Sequence, residues 1–154
     1  MPHTPVLKSG EIAVYLSGYT DGEGSFCISF SPRNTLKARI EIRPSFSVSQ
    51  NKDRAEVLYL FKEYFRCGFI RPDRSDRTLK YEVRSLQNLV ETIIPHFERY
   101  PLLSSKQKDF ELFAHVCKMM TFQSRELKDI IQLAYQMNVS GKRKFDQKFL
   151  QSLL

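Results

Sequence analysis

Tyr15-Leu16-Ser17-Gly18-Tyr19-Thr20-Asp21-Gly22-Glu23-Gly24-Ser25-Phe26-Cys27-Ile28-Ser29-Phe30-Ser31 changes its apolar period halfway along. From Glu11 to Thr20, Ile12, Leu16 and Tyr19 recur at helical spacing. A second face of the same stretch pairs small residues four apart, Ala13 with Ser17 and Val14 with Gly18. Asp21-Gly22-Glu23-Gly24 is too rich in glycine to continue a helix, so a polar turn is expected there. From Ser25 the period falls to two. Phe26, Ile28 and Phe30 point one way; Ser25, Cys27, Ser29 and Ser31 point the other, as in a half-buried strand.

Downstream, Pro32-Arg33-Asn34-Thr35 reads as a turn, after which the alternation resumes. Ile40, Ile42, Phe46 and Val48 are inward; Arg39, Glu41, Arg43, Ser45, Ser47 and Ser49 are outward. This predicts a long antiparallel hairpin with one apolar face, in which Pro44 marks an edge position or a bulge. Asp53 to Phe65 is a predicted helix, striped by Val57, Leu60, Phe61, Tyr64 and Phe65. A second hairpin follows from Phe69 to about Ser85, turning through Arg74-Ser75-Asp76-Arg77. Helices are predicted over Leu86 to Phe97, Ser105 to Met120 and Ser124 to Met137, then a basic run Gly141-Lys142-Arg143-Lys144 and a short last helix. The pattern is α+β: one domain over residues 1–154, with an N-terminal arm (1–9) and a basic C-terminal segment (138–154). Its four-stranded antiparallel sheet carries helices on one face.

Composition narrows the chemistry. Lys and Arg outnumber Asp and Glu by 24 to 17, a net charge of +7, which points to a polyanionic partner, most often nucleic acid. The 3 cysteines form no CxxC pair, which argues against a disulfide framework and a cysteine zinc site. No apolar run is long enough to cross a bilayer and the first ten residues lack the core of a signal peptide, so a soluble, unexported chain without a membrane partner is expected. The glycines at 22 and 24 lack the third glycine of a dinucleotide loop. A calcium loop opened at Asp21 would reach Pro32 where it needs a bidentate Glu. No G-x-S-x-G elbow or HExxH pair is present.

Leu16 to Gly24 resembles the nine-residue LAGLIDADG motif of homing endonucleases. The Leu, Gly, Asp, second acid and final Gly are in place; Ser17 stands where Ala is usual and Glu23 where Asp is frequent. Pro101-Leu102-Leu103-Ser104-Ser105-Lys106-Gln107-Lys108 looks like that family's lysine-bearing region, and Met137-Asn138 followed by Gly141-Lys142-Arg143-Lys144 looks like its C-terminal ending. The predicted element order is similar to the family's αββαββα fold. The resemblance implies a site-specific double-strand DNA endonuclease of the intron-homing type. It would hydrolyse phosphodiesters at a long pseudo-palindromic site with Mg²⁺ or another divalent cation such as Mn²⁺. By the motif match Glu23 is the metal ligand, assisted by the Gly22 carbonyl, while Asp21 stabilises the turn. Gln50 matches a residue that orients the attacking water, and Lys106 one that stabilises developing charge, with Lys108 as the substitute and Arg54 in a similar role. A single carboxylate per subunit is chemically adequate, because Mg²⁺ keeps several waters and takes few protein ligands.

The hairpins suit recognition, since two paired strands fit the major groove of B-DNA. Ser29, Ser31, Arg33, Glu41, Arg43, Ser45 and Ser47 offer donors and acceptors at two-residue intervals on the outward face. Arg71, Asp73, Arg74, Arg77 and Lys80 extend that row, and Arg143 and Lys144 suit phosphates. One motif per chain and two strands to cut imply a C2 homodimer, in which Ala13, Ser17 and Gly18 allow close helix approach. Two other readings use the same fold. An RNA maturase would take RNA as partner, and a DNA-binding regulator would lack catalysis. The compartment expected for such a protein is intracellular, an organelle (mitochondrion or chloroplast) or a prokaryotic cytoplasm.

Overall fold

Helix α1 (Ser9–Glu23) runs directly into strand β1 (Gly24–Pro32), with no residue between them. The computed structural model describes residues 7–34, 40–75, 77–122, 126–138 and 141–154. Strand β2 (Ile40–Asn51) is followed by a 3₁₀ turn (Lys52–Arg54), helix α2 (Glu56–Phe65) and strands β3 (Phe69–Pro72) and β4 (Thr78–Val83). Helix α3 is built from three abutting segments, Leu86–Asn88, Leu89–Ile93 and Ile94–Arg99. Helices α4 (Lys106–Thr121), α5 (Leu127–Ala134) and α6 (Gln147–Ser152) complete the chain. The expected α+β order is borne out: one four-stranded antiparallel sheet in the order β1-β2-β4-β3. The predicted turn residue Thr35, the outward Arg39, Asp76 of the second turn and the start of the helix expected from Ser124 lie outside the described residues.

The alternation in the hairpin becomes a two-faced sheet. Phe26, Ile28, Phe30, Phe46 and Val48 are buried on one side. Phe26 is central there, its ring 5.3 Å from those of Phe97 on α3 and of Phe110 and Phe113 on α4. The first hairpin keeps one register from Gly24↔Val48 to Pro32↔Ile40, so Pro44 makes no bulge. Strand β4 joins β2 only from Phe46 onward, and Pro44 therefore sits where β2 has a single neighbour, the edge setting in which strands tolerate proline. The outer edge of β1 is closed by the C-terminal segment. Asn138 Nδ2 donates to the Phe26 carbonyl at 2.8 Å, and Arg143 Nη1 to that of Ile28 at 2.7 Å.

Two departures from the expected elements have local causes. Helix α1 continues through Asp21, Gly22 and Glu23 instead of breaking into a turn, because contacts from residues 103–106 hold its last turn. In α3 the amide of Ile94 donates to the Leu89 carbonyl five residues back, a π turn that accommodates Pro95, which has no amide to continue an α ladder.

The dimer expectation also needs correcting in part. Ala13 and Ser17 are 1% and 4% exposed and face the protomer's own core, not a second copy. Ser17 Oγ donates to the Tyr100 carbonyl at 2.6 Å and lies 3.0 Å from His96 Nε2. The outward face of α1 carries Val14, 61% exposed, and Gly18, where an added Cβ would meet nothing within 4 Å.

Because the Ser17 hydroxyl donates to Tyr100, it accepts from His96 Nε2–H. His96 Nδ1, 3.0 Å from the Tyr64 hydroxyl, then accepts from it. This is a neutral imidazole with both nitrogens satisfied, and burial pushes its pKa down to about 4 from 6.5. Between those values the unfolded chain binds a proton that the folded chain does not, so stability falls as pH drops from 6.5 toward 4. The loss at pH 4 is about 3 kcal/mol from this residue. Urea melts of wild type and His96→Phe at pH 7 and pH 4 check it: wild type should lose the larger increment, and equal losses would contradict the assignment.

Candidate active site and nucleic-acid face

The C-terminal end of α1 is held from outside the helix. Lys106 Nζ reaches the carbonyls of Thr20 (2.9 Å), Asp21 (3.0 Å) and Gly24 (2.7 Å), using an ammonium donor for each. A cation at a helix C-terminus also meets the negative end of the helix dipole. Burial lowers the Lys106 pKa, opposed by the negative charges of Asp21, Glu23 and Asp109. Asp21 does not close a turn as expected. Its carboxylate accepts the Leu103 amide at 2.8 Å, the Ser104 amide at 3.3 Å and the Ser104 hydroxyl. Burial works against that carboxylate, but these hydrogen bonds and the Lys106 charge hold its pKa below the usual value. The helix-to-strand junction demands glycine: a Cβ on Gly24 would lie 2.9 Å from the Thr20 carbonyl oxygen and 3.1 Å from Thr20 Cα.

Glu23 is the last helical residue and is exposed, with Gly22 exposed beside it. Lys106 is thus brought to the same helix end as Glu23, as the sequence reading requires, although its hydrogens are committed to backbone carbonyls. Lys108 is exposed on the first turn of α4. Gln50 lies at the end of β2 and donates to the Tyr19 hydroxyl, while its Oε1 accepts the Asn51 amide at 2.8 Å. Arg54, 67% exposed at its side chain, lines the same cleft as Gln50 and Tyr19. Glu23 and Lys106 therefore form one cluster and Gln50 and Arg54 another, separated by the four residues from Tyr19 to Glu23, about 6 Å of helix axis. Hard oxygen donors at the negative end of a helix suit a divalent cation such as Mg²⁺. Among the described residues no group of three acidic, His or Cys side chains could hold a metal.

On the outward sheet face, three acids among the described residues, Glu41, Asp73 and Glu82, are each paired with a base. Glu41 accepts from Arg33 and Arg43, both at 2.9 Å, and those hydrogen bonds lower its pKa, the Arg43 one most. Asp73 takes Lys80 at 3.5 Å and Ser49 at 3.2 Å. Glu82 takes Arg71 at 2.9 Å and Arg84 at 3.0 Å. Ser29 donates to the Arg43 carbonyl at 3.2 Å. Ser31, Ser45 and Ser47 are half-buried on this face, and Arg74 and Arg77 are exposed at the second turn. Glu82 and Arg84 extend this face beyond Lys80, where the row expected from the sequence ends. Lys80, Glu82 and Arg84 follow at two-residue intervals, and that spacing was the signal for them.

Arg143 is not the loose phosphate contact expected of a flexible tail. Its guanidinium bonds the carbonyls of Ile28 and Ala134 and lies 4.5 Å from the centre of the Tyr135 ring. Lys142 and Lys144 are exposed. Neutralising these two lysines should weaken binding to all DNA sequences alike and lower the log–log salt slope by about one unit per lost phosphate contact. Arg143→Ala should instead lower the melting temperature by freeing the C-terminal segment from β1. Salt-titrated binding and thermal melts separate the two outcomes.

No helix among the described residues is long and apolar enough to cross a membrane. The chain is 28% identical over 147 residues to homing endonuclease I-ApeII of Aeropyrum pernix, a match covering 91% of this chain and 86% of that protein. It is 31% identical over 130 residues to DNA endonuclease I-CeuI of Chlamydomonas moewusii, covering 83% of this chain and 60% of the relative. Several fungal intron-encoded relatives are longer still; the chain spans 26% of one and 24% of another. The crystal structure of the homing endonuclease I-TnaI superposes with a TM-score of 0.78 at 27% identity, over 97% of both chains. With residues 16–117 matching the model of the LAGLIDADG endonuclease, across the helix, both hairpins and the lysine-bearing segment, this chain belongs to the LAGLIDADG endonuclease family.

Proposed function

We propose that two copies of this chain form a site-specific endonuclease that cuts both strands of duplex DNA with a divalent cation. What carries the reading is the junction of α1 with β1: it sets an exposed acid, Glu23, at the end of a sheet whose outward face is lined with paired arginines and serines. The relatives named as homing and DNA endonucleases support the same class of substrate. Strand β2 has 12 residues. At about 3.3 Å per residue it is about 40 Å long, close to one turn of B-DNA. A dimer would then read about two turns with partial two-fold symmetry.

In each protomer Glu23 and the Gly22 carbonyl would hold the cation. When bound, it neutralises the phosphodiester and makes a water more acidic. Lys106 keeps the last turn of α1 closed and a positive charge beside Glu23. Gln50, with one amide hydrogen on Tyr19, has a second with which to orient the attacking water. The exposed guanidinium of Arg54 faces the same cleft and adds positive charge near the leaving oxygen. Protomers meet through Val14 and Gly18 on the outward face of α1. Footprinting tests the geometry. A protected site of about 20 base pairs per two chains is expected, whereas a site of half that length occupied by one chain would contradict it.

A further inference from the structure

We propose that Glu82 is a positioning residue for DNA reading, its carboxylate fixing the guanidinium groups of Arg71 and Arg84 as one guanine-reading unit. The inference rests on the DNA endonuclease reading of the sheet face. Across the four strands the pairing register aligns Ser25, Ser47, Glu82 and Phe69 in one row, so Glu82 sits near the middle of the outward face. It is nevertheless only 6% exposed, because arginines cover it. Arg71 Nε and Arg84 Nη2 converge on the same oxygen, Oε2, at 2.9 and 3.0 Å. Arg71 Nη1 also donates to the Pro72 carbonyl at 3.1 Å, and the Arg84 guanidinium lies 5.3 Å from the centre of the Phe69 ring.

A carboxylate on a surface meant for a polyanion is unfavourable unless it does something for its neighbours. Here it anchors one nitrogen of each guanidinium, and both side chains stay partly open to solvent, 36% exposed for Arg71 and 58% for Arg84. Planar, pre-oriented Arg forks are the donors that pair with guanine O6 and N7. Fixing them before DNA arrives removes an ordering cost from binding. Burial opposes the charge on Glu82, and the two arginines hold its pKa below the usual value, so the anchor stays ionised. The Glu41 pairs differ: all three side chains are 39% to 51% exposed and are screened by solvent.

The test is selection of binding sites from a randomised duplex library by full-length wild type, Glu82→Gln, Arg84→Ala and the double variant, with thermal melts of each. Glu82→Gln should bind unselected duplex at least as tightly as wild type. It should lose about tenfold of the preference for guanine at the position that Arg84→Ala also relaxes, and the double variant should lose no more there. A purely structural role would shift the melting temperature and leave the base preferences unchanged; unchanged preferences overturn the proposal. If Glu82→Gln does not fold, Arg71→Lys and Arg84→Lys keep the ion pairs but not the forks. They should retain general affinity and lose guanine preference, and retained preference is the overturning result. Failure of wild type to select any site would instead sink the DNA reading itself.

Discussion

Glu23→Gln is expected to stop DNA cleavage while leaving DNA binding intact. The substitution removes one negative charge and almost no volume. Glu23 is exposed at the last position of α1, so neither the core nor the helix depends on it. The β1–β2 register begins at Gly24 and does not include Glu23, so the outward residues of the hairpin keep their places. If Glu23 holds the cation as proposed, loss of its charge should lower the cleavage rate by about 10²–10³-fold or more. Single-turnover cleavage with Mg²⁺, set beside a gel-shift on the same duplex, reads both halves of the expectation. Cleavage at the wild-type rate would remove Glu23 from the active site. Loss of binding would mean that the variant disturbs the fold.

Gly18→Leu is expected to leave a folded protomer that neither dimerises nor cleaves. Within the protomer a side chain at Gly18 enters open space, so no strain arises there. Leu also favours a helix over Gly by about 1 kcal/mol, so the melting temperature of the isolated chain should hold or rise. In a C2 dimer the same side chain enters the contact twice. At about 1–3 kcal/mol for each overpacked position, association should weaken by about 2–6 kcal/mol. Sedimentation at micromolar concentration, with and without DNA, should show dimer for wild type and monomer for the variant. A Gly18→Leu dimer that still cuts would move the interface off α1.

The period change at Gly24 and the alternation that follows it made the first hairpin legible, since a half-buried strand writes its burial directly into every second residue. Helix α1 was harder. Apolar or small residues surround it, with Ile12, Ala13, Val14, Tyr15 and Leu16 in succession, so periodicity alone did not say which face is inside. The inward direction of Ser17 comes from His96 and Tyr100, about eighty positions away. The same holds at the other end of the helix, where Asp21-Gly22-Glu23 stays helical because Leu103, Ser104 and Lys106 bind it. Arg143 reads as a tail cation in sequence and is a clamp in the fold, because the carbonyls it bonds belong to β1 and α5. The motif located Glu23; it carried no information about which of the Lys106 donors were already engaged.

The most direct test of a dimeric, cation-dependent DNA endonuclease uses the DNA on either side of the coding region, joined as it would be without the interrupting element. Purified protein is incubated with that duplex in Mg²⁺, in chelator, and as Glu23→Gln, and both strands are mapped. One cut in each strand near the junction is predicted for wild type in Mg²⁺, with none in chelator and none by the variant. No cut by wild type in Mg²⁺ or Mn²⁺, in this duplex or in a randomised plasmid library, would contradict the account, as would equal cutting by Glu23→Gln.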